Sequence, residues 1–298
     1  MKENKRAFVF PAFITEYTGK EIEFLTTNSI DINTYLQRVA NVLNQELPAF
    51  SYGSEFYRDE LNAQLLAYTM SCAMNDALNQ KGIFPDFIAG YSMGIYASLY
   101  AARSITFEQG AKIIHKAYNI VEELSRSLEY GMGAVIGLSY NDTEKLIKDK
   151  SIEVEIININ NEHSLVIAGL RKDVKLLLEL AREEGALTAA ELTVKTPYHS
   201  KFLVKYSDPF AEFLKDNDVQ HTDYPLISTY DQRMIKSSDE IRPELVYNLT
   251  QKINWYKTMQ QLIDMGVEEM YECGAGKDLK KISRFIDGDY ALISVYKV

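Results

Sequence analysis

The sequence predicts an α/β protein in which a small ferredoxin-like domain is inserted into a larger α/β domain. Three observations indicate this. Strand-like apolar runs alternate with helical segments along the 298 residues, one of these strands ends in a Gly-x-Ser-x-Gly turn, and the middle of the chain follows a β-α-β-β-α-β order. With 46% hydrophobic and 25% charged residues, the composition is that of an ordinary globular chain.

The first part of the chain provides the beginning of the larger domain. The run AFVFP (7–11) is predicted to be a strand, and residues 59–82 a helix with two apolar rows, which we expect to be buried in the core. PDFIAG (85–90) is a short strand that leads into the Gly-x-Ser-x-Gly turn, and an alanine-rich helix follows the turn. A further helix is predicted over residues 107–124.

The middle of the chain changes pattern and forms the predicted insert. Six elements follow in the order β-α-β-β-α-β: GAVIGLS (133–139), NDTEKLIKDK (141–150), IEVEIININ (152–160), SLVIAGL (164–170), KDVKLLLELAREEG (172–185) and ALTAAELTV (186–194). This order is typical of a ferredoxin-like module. We therefore place a small domain at residues 128–197 and assign residues 1–127 and 198–298 to the larger domain.

Composition excludes several classes of function. No apolar run is long enough to cross a bilayer, and Pro11 interrupts the short apolar stretch that follows the basic start, so we expect a cytoplasmic protein without membrane contact. Cys72 and Cys273 lie in apolar contexts and are expected to be buried free thiols. The four histidines have no metal-ligand spacing, which predicts no metal site. The net charge of −10 disfavours nucleic acid as a partner.

Ser92 is the first candidate for catalysis. A strand that ends in Gly-x-Ser-x-Gly and enters a helix is typical of a nucleophile elbow, in which the serine hydroxyl projects at the N-terminus of the helix. There the backbone N–H of Met93 and the helix dipole can stabilise an oxyanion. Small residues are also common at tight strand–helix turns for packing alone, so the five-residue pattern by itself leaves both interpretations open.

A catalytic serine needs a base, and the sequence has four histidines. His199 lies in VKTPYHSKF, where Pro197 fixes the backbone ahead of it in a loop, the usual place for a catalytic group. His115 falls inside a predicted helix, and His163 and His221 fall in polar turns, where structural roles are expected. His199 is therefore the candidate base.

With these motifs in order along nearly the whole chain, the sequence resembles the malonyl-CoA:acyl-carrier-protein transacylases and the acyltransferase domains of polyketide and fatty acid synthases. The matching segments are AGYSMG at the Gly-His-Ser-x-Gly elbow, NINNEHSLVIAG (158–169), PYHS (197–200) at the histidine motif, NW (254–255) and YECGAGKDL (271–279). The resemblance implies a hydrolase-like large α/β domain that carries the ferredoxin-like insert.

The resemblance also implies a two-step exchange. Ser92, activated by His199, would attack an acyl thioester to form an acyl-enzyme, and the phosphopantetheine thiol of a carrier protein would then accept the acyl group. A main-chain carbonyl orients the histidine in the family, and the matching position here is Asn254. The oxyanion hole would pair the N–H of Met93 with that of Phe13 in the N-terminal loop. No permanently bound cofactor is implied, since coenzyme A or phosphopantetheine enters as a thioester substrate.

This sequence departs from the family pattern around the elbow. The N-terminal Phe-Pro-Gly-Gln-Gly is FPAFI here, so Ala12, Phe13 and Ile14 replace a flexible glycine-rich loop. Tyr91 replaces the histidine before the serine, and Ile95 replaces the glutamate after the second glycine. Loss of one oxyanion donor would lower the rate by about 100- to 1000-fold.

The arginine that holds the malonyl carboxylate in the family is also absent. An ungapped alignment places Ala117 at that position, a slip of three residues gives Ile120, and Lys116 points about 100° away on the helix. Because a buried carboxylate without a partner is costly, the sequence favours an uncharged acyl group over malonyl. The residues that the resemblance places at the substrate pocket are Tyr91, Ala117, Tyr198 and Asn160.

The sequence leaves four functions open. It predicts an acyltransferase acting on thioesters of acyl carrier protein or coenzyme A in polyketide or fatty acid biosynthesis. The alternatives are a hydrolase of stalled acyl-carrier-protein thioesters, a malonyl transacylase with a different carboxylate contact, and a catalytically weak carrier-binding module. Retention of both Ser92 and His199 argues against the last. A monomer is expected, and a basic cluster is either a docking surface for the acidic carrier protein or a solvated helix face: Lys277, Lys280, Lys281 and Arg284.

Overall fold

Two β-sheets organise the chain in the computed structural model, which describes residues 4–127 and 129–298. Eleven strands lie in these ranges: β1 (Lys5–Phe10), β2 (Phe87–Gly90), β3 (Tyr130–Ile136), β4 (Val154–Asn161), β5 (Ser164–Leu170), β6 (Thr188–Glu191), β7 (Leu226–Ile227), β8 (Met234–Ile235), β9 (Ile253–Asn254), β10 (Val267–Glu272) and β11 (Ala291–Ser294). The mixed α/β fold with two sheets confirms the predicted fold class.

Helices connect these strands within the same ranges. They are α1 (Lys20–Thr27), α2 (Ile32–Leu43), α3 (Glu60–Gln80), α4 (Gly94–Ala101), α5 (Phe107–Ser127), α6 (Tyr140–Asp149), α7 (Arg171–Glu183), α8 (Ser207–Lys215), α9 (Ser238–Thr250), α10 (Trp255–Asp264) and α11 (Asp278–Ile282). Short 3-10 turns lie at Glu55–Arg58, Lys201–Tyr206 and Val295–Lys297. In the part of the chain that the structure describes, no helix is long and apolar enough to span a bilayer.

The larger sheet has the strand order β11-β10-β1-β2-β7-β8 and is parallel except for the β7–β8 pair. Parallel strands place their carboxyl ends at one edge of the sheet, and Phe10 at the end of β1 pairs with Gly90 at the end of β2. Ligands of open α/β sheets bind outside this edge. The loop after β1 and the Gly-x-Ser-x-Gly turn after β2 therefore lie side by side.

The smaller sheet has the order β6-β3-β5-β4-β9. Its four antiparallel strands β3 to β6, with α6 and α7, form the predicted ferredoxin-like β-α-β-β-α-β unit. The last strand covers only Thr188–Glu191, rather than the predicted 186–194. β9 from the C-terminal part of the chain pairs in parallel with β4 and joins this sheet to the larger part of the fold.

The proposed division into 1–127, 128–197 and 198–298 stays a prediction, and its boundary at residue 128 lies outside the described residues, as do residues 1–3. The core nevertheless follows the expected elements. Helix α3 is buried along most of its length, because it packs between α2, α4 and α5. Cys72 and Cys273 are free and buried, as predicted.

The two glycines of the elbow are required by close packing. A Cβ on Gly90 would lie 2.5 Å from the backbone nitrogen of Ile95, and a Cβ on Gly94 would lie 2.1 Å from the carbonyl oxygen of Phe10. Ser92 between them has a φ of 54°, in the left-handed region that L-residues adopt at a cost. The absence of both side chains thus allows the strained turn to sit against β1.

We expect Gly94→Ala to destabilise the fold by roughly 3 kcal/mol, because its methyl group would overlap the carbonyl of Phe10 and force the elbow away from β1. Thermal and urea unfolding measure this loss. Gly131→Ala is the matched control, since its Cβ would lie 3.4 Å from the side chain of Arg171 in ordinary contact. Equal stability of the two variants would contradict this account of the elbow.

Candidate active site

Ser92 lies at the carboxyl edge of the larger sheet, between the end of β2 and the start of α4. Its backbone carbonyl accepts a hydrogen bond from the N–H of Ile95 at 3.1 Å and from Nδ2 of Asn248 at 3.3 Å. The serine is partly exposed, so its hydroxyl is open to a substrate. The turn is therefore fixed from two sides, by its own helix and by the end of α9.

His199 faces this serine from a separate segment of the chain. Its Nε2 lies 2.7 Å from Oγ of Ser92, although the two residues are 107 positions apart. The backbone of His199 has a φ of 61°, and its N–H donates to the carbonyl of Leu249 at 2.9 Å. This distance is within hydrogen-bond reach of a nucleophile and its base, so the structure brings together the two residues predicted to be catalytic.

The environment of His199 keeps the imidazole neutral. The ring is buried, and desolvation lowers its pKa to about 4, although the backbone of Asn248 favours the charged form and opposes this shift. Nδ1 has no hydrogen-bond partner of normal geometry among the described residues. A neutral ring can accept the proton of a serine hydroxyl.

The prediction that the backbone of Asn254 orients the histidine is wrong. Asn254 begins α10: its side chain accepts the N–H of Lys257 at 3.0 Å, and its carbonyl accepts the hydroxyl of Thr258 at 3.0 Å. The backbone that acts on His199 belongs to Asn248, six residues earlier, in the last turn of α9. The motif NW marks the start of the next helix, whereas the histidine contacts the end of the preceding one.

Met93 is placed to donate to an oxyanion. It stands at the N-cap of α4, and its N–H has no acceptor in the ranges that the structure covers. The loop that contains Phe13 begins next to the elbow. A Cβ on Gly94 would lie 2.1 Å from the carbonyl oxygen of Phe10 and 3.1 Å from that of Pro11, so the start of this loop packs directly against Gly94. The participation of Phe13 stays a prediction.

Tyr91 connects the elbow to the smaller sheet. Its hydroxyl donates to Oδ1 of Asn160 at 2.8 Å and accepts from Nδ2 of Asn158 at 2.8 Å, while its ring packs edge-on against Trp255. Sequence reasoning did not single out Asn158, although its place between Ile157 and Ile159 in β4 was a usable signal. Oδ1 of Asn158 is buried and has no partner among the described residues.

The two remaining residues predicted to line the pocket are both buried. Ala117 on α5 is 4% exposed and carries no charge. Tyr198 is 7% exposed, and its ring centroid lies 6.4 Å from that of His199. The hydroxyl of Tyr198 accepts a hydrogen bond from Nε2 of Gln64 at 3.1 Å, a contact that pattern analysis could not reveal, because it joins residues 134 positions apart.

A cleft of about 410 Å³ reaches His199 between α6 and β4 on one side and the segments around Lys201 and Gln251 on the other. Lysine and glutamate side chains from both parts of the chain line it, and most of them are paired. Lys201 contacts Glu155 at 3.3 Å, and Lys148 contacts Glu144 at 2.6 Å. The charges that line this cleft are therefore largely balanced.

The other histidines and the basic cluster lie outside this group of contacts. His115 on α5 contacts Gln45 at 3.1 Å. In the basic cluster, Lys277 and Lys281 both pair with Glu16, at 3.4 and 2.6 Å, and Arg284 and Lys280 line a groove of about 660 Å³. The docking role of this cluster stays a prediction.

A strained serine at a strand–helix turn, a neutral histidine at 2.7 Å and a free N–H at the helix start define a class of α/β protein built for acyl transfer. Comparisons with known proteins of similar sequence support this class. The acyl transferase domain family matches residues 55–271. The malonyl CoA-acyl carrier protein transacylase of Bacillus subtilis (strain 168) is 32% identical over 231 residues, which cover 75% of this chain and 73% of that protein.

Two further comparisons extend over nearly the whole chain. The malonyl CoA-acyl carrier protein transacylase of Staphylococcus aureus (strain MRSA252) is 27% identical over 98% of this chain and 96% of its own length. The crystal structure of acyl-carrier-protein S-malonyltransferase from Burkholderia pseudomallei 1710b has a TM-score of 0.89 at 26% identity, covering 98% and 96% of the two chains. The chain belongs to the family of malonyl-CoA:acyl-carrier-protein transacylases and polyketide synthase acyltransferase domains.

We expect acylation of the enzyme to be independent of pH between about pH 6 and pH 8 and to fall only as the pH approaches about 4. The reason is that the pKa of His199 is lowered to about 4, so the ring stays neutral until then and loses its accepting nitrogen only on protonation. Rapid-quench measurement of the acyl-enzyme gives the profile, with circular dichroism to confirm folding at each pH. A midpoint near the ordinary value of 6.5 would contradict the account.

Proposed function

We propose that this protein transfers acyl groups between thioesters through an acyl-enzyme on Ser92. The observation that carries this proposal is the 2.7 Å contact between Oγ of Ser92 and Nε2 of a buried, neutral His199. A hydroxyl in contact with a neutral imidazole can be deprotonated as it attacks a carbonyl carbon. Membership of the acyl transferase family supports the same chemistry.

The first half of the reaction forms the acyl-enzyme. Oγ of Ser92 bonds to the thioester carbonyl carbon and its proton passes to Nε2 of His199, while the N–H of Met93 stabilises the oxyanion. The carbon–sulfur bond then breaks, and the thiol leaves with the proton from His199. In the second half an incoming thiol gives its proton to His199 and takes the acyl group, and Ser92 recovers its proton.

The names of the relatives indicate which thiols take part. They are malonyl CoA-acyl carrier protein transacylases, and they match up to 98% of this chain. We propose that coenzyme A and the phosphopantetheine arm of an acyl carrier protein are the donor and acceptor here, in fatty acid or polyketide biosynthesis. The basic cluster that includes Lys280 and Arg284 is the proposed contact for the acidic carrier protein.

For the acyl group we propose an uncharged chain rather than malonyl. Ala117 occupies the position at which the family has the arginine that binds the malonyl carboxylate. Ala117 is buried, and its side chain carries no charge. The second candidate is malonyl itself, which the names of the relatives favour. In that case the carboxylate would need another cation, and Lys201, two residues after His199 in the cleft, is the candidate contact.

Intact-protein mass spectrometry after brief exposure to malonyl, acetyl, butyryl and octanoyl thioesters tests this proposal. We expect acyl adducts from the uncharged thioesters, which persist in buffer and leave the enzyme when a carrier protein bearing phosphopantetheine is added. The matched control is the same carrier protein without its phosphopantetheine arm, which offers no thiol.

Each other outcome has a defined meaning. A malonyl adduct that forms faster than the uncharged ones would refute the proposed acyl preference and support the second candidate. An adduct that decays in buffer alone, with release of free acid, would make the protein an acyl-carrier-protein hydrolase. No adduct from any thioester would refute the acyl-enzyme itself.

A further inference from the structure

A chain of polar contacts leads from the histidine segment to an acidic side chain on α3. Tyr198 directly precedes His199, and its hydroxyl accepts a hydrogen bond from Nε2 of Gln64 at 3.1 Å and lies beside the carboxylate of Glu60. Gln64, one helical turn after Glu60, lies within 3.4 Å of the same carboxylate. Burial raises the pKa of Glu60, whereas the neighbouring Tyr198, Thr196 and backbone of Lys195 favour its charged form and oppose this shift. The carboxylate is thus held at a fixed place beside Tyr198.

This acid lies close to where the acyl group must be. The ring of Tyr198 is 6.4 Å from that of His199, and the ring of His199 contacts Ser92. The carboxylate of Glu60 is one phenol ring and the amide of Gln64 further on, so it lies on the order of 10 Å from the ring of His199. Ala117 brings no positive charge to the core cluster that it shares with Tyr198.

Two of the three lysines that line the cleft at His199 are paired with acids. Lys201 pairs with Glu155 and Lys148 pairs with Glu144, while Nζ of Lys252 donates to the hydroxyl of Tyr140 at 3.0 Å. Asp59, the neighbour of Glu60, caps α3 through the N–H of Asn62 and adds a second negative charge at this end of the helix. Two acidic residues, Asp59 and Glu60, therefore lie at the start of α3, and Glu60 is beside Tyr198.

A fixed negative charge about 10 Å away acts differently on acyl groups of different charge. At an effective dielectric constant of about 20, Coulomb's law gives a discrimination on the order of tenfold between a neutral acyl group and one with a single charge. The sign disfavours a carboxylate and favours a cation. Partial exposure of Glu60 limits the effect to this order, because solvent screens it.

We propose that Glu60, held by Tyr198 and Gln64, is a specificity-determining residue that selects acyl groups by charge, rejecting carboxylated groups and accepting neutral or amino-substituted ones. The substrate class is thus an acyl group without an acid at its far end. This inference rests on the acyl transfer proposed above. It adds the repulsive charge of Glu60 to the missing arginine as a second reason why carboxylated acyl groups are excluded.

Three thioesters of nearly equal size and different charge test the inference: malonyl, butyryl and 3-aminopropanoyl. In the parent protein we expect acylation by malonyl to be the slowest and by 3-aminopropanoyl to be at least as fast as by butyryl. Glu60→Gln should raise the malonyl-to-butyryl rate ratio about tenfold, because it removes the charge and keeps the shape. Tyr198→Phe should also raise that ratio, because it removes the hydroxyl that positions Gln64 against the carboxylate while it keeps the ring.

The matched control is Glu55→Gln, which removes the same charge from a side chain that is 92% exposed and should leave the ratio unchanged. A purely structural role of Glu60 would slow all three thioesters together, so an unchanged ratio in folded Glu60→Gln and Tyr198→Phe would overturn the inference. If the parent forms no adduct with any thioester, the proposed acyl transfer fails instead, and the two failures are thereby distinguished.

Discussion

The site depends on one contact, the 2.7 Å approach of Ser92 and His199, which lie on segments 107 positions apart. Both residues have positive φ values, 54° and 61°, so neither segment would adopt this geometry without support from its surroundings. The support comes from the end of α9. Asn248 bonds the carbonyl of Ser92, and the carbonyl of Leu249 accepts the N–H of His199. One helical turn therefore positions both Ser92 and His199, the proposed nucleophile and base.

In the proposed chemistry the histidine acts without a carboxylate partner, since its Nδ1 has none among the described residues. Burial lowers its pKa to about 4, and the backbone of Asn248 opposes that shift only in part. An imidazole in this state is a weak base, yet it is in the correct protonation state over the whole neutral range. The same low polarity would strengthen a hydrogen bond from the N–H of Met93 to a developing oxyanion. In the proposed chemistry, burial therefore favours both the stabilisation of the oxyanion and the transfer of the serine proton to His199.

The sequence was sufficient for features that local patterns determine. The elbow around Ser92, the loop of His199 and the ferredoxin-like strand order follow from glycine spacing, proline and hydrophobic alternation, all within short segments. Contacts between distant segments could not be predicted from the sequence. The hydrogen bond between Gln64 and Tyr198 forms only when α3 packs against the histidine loop. The backbone contact with His199, predicted for Asn254, is made by Asn248, because Asn248 lies in the last turn of α9 whereas Asn254 precedes the next helix.

The most direct measurement of the central claim is to locate the acyl group. The protein is acylated with a butyryl thioester, digested and sequenced by tandem mass spectrometry, alongside folded Ser92→Ala and His199→Ala variants. The account predicts that the butyryl mass lies on Ser92 alone, that Ser92→Ala carries none, and that His199→Ala acquires it at least about 1000-fold more slowly. A butyryl group on another residue, or acylation of His199→Ala at the parental rate, would contradict the account.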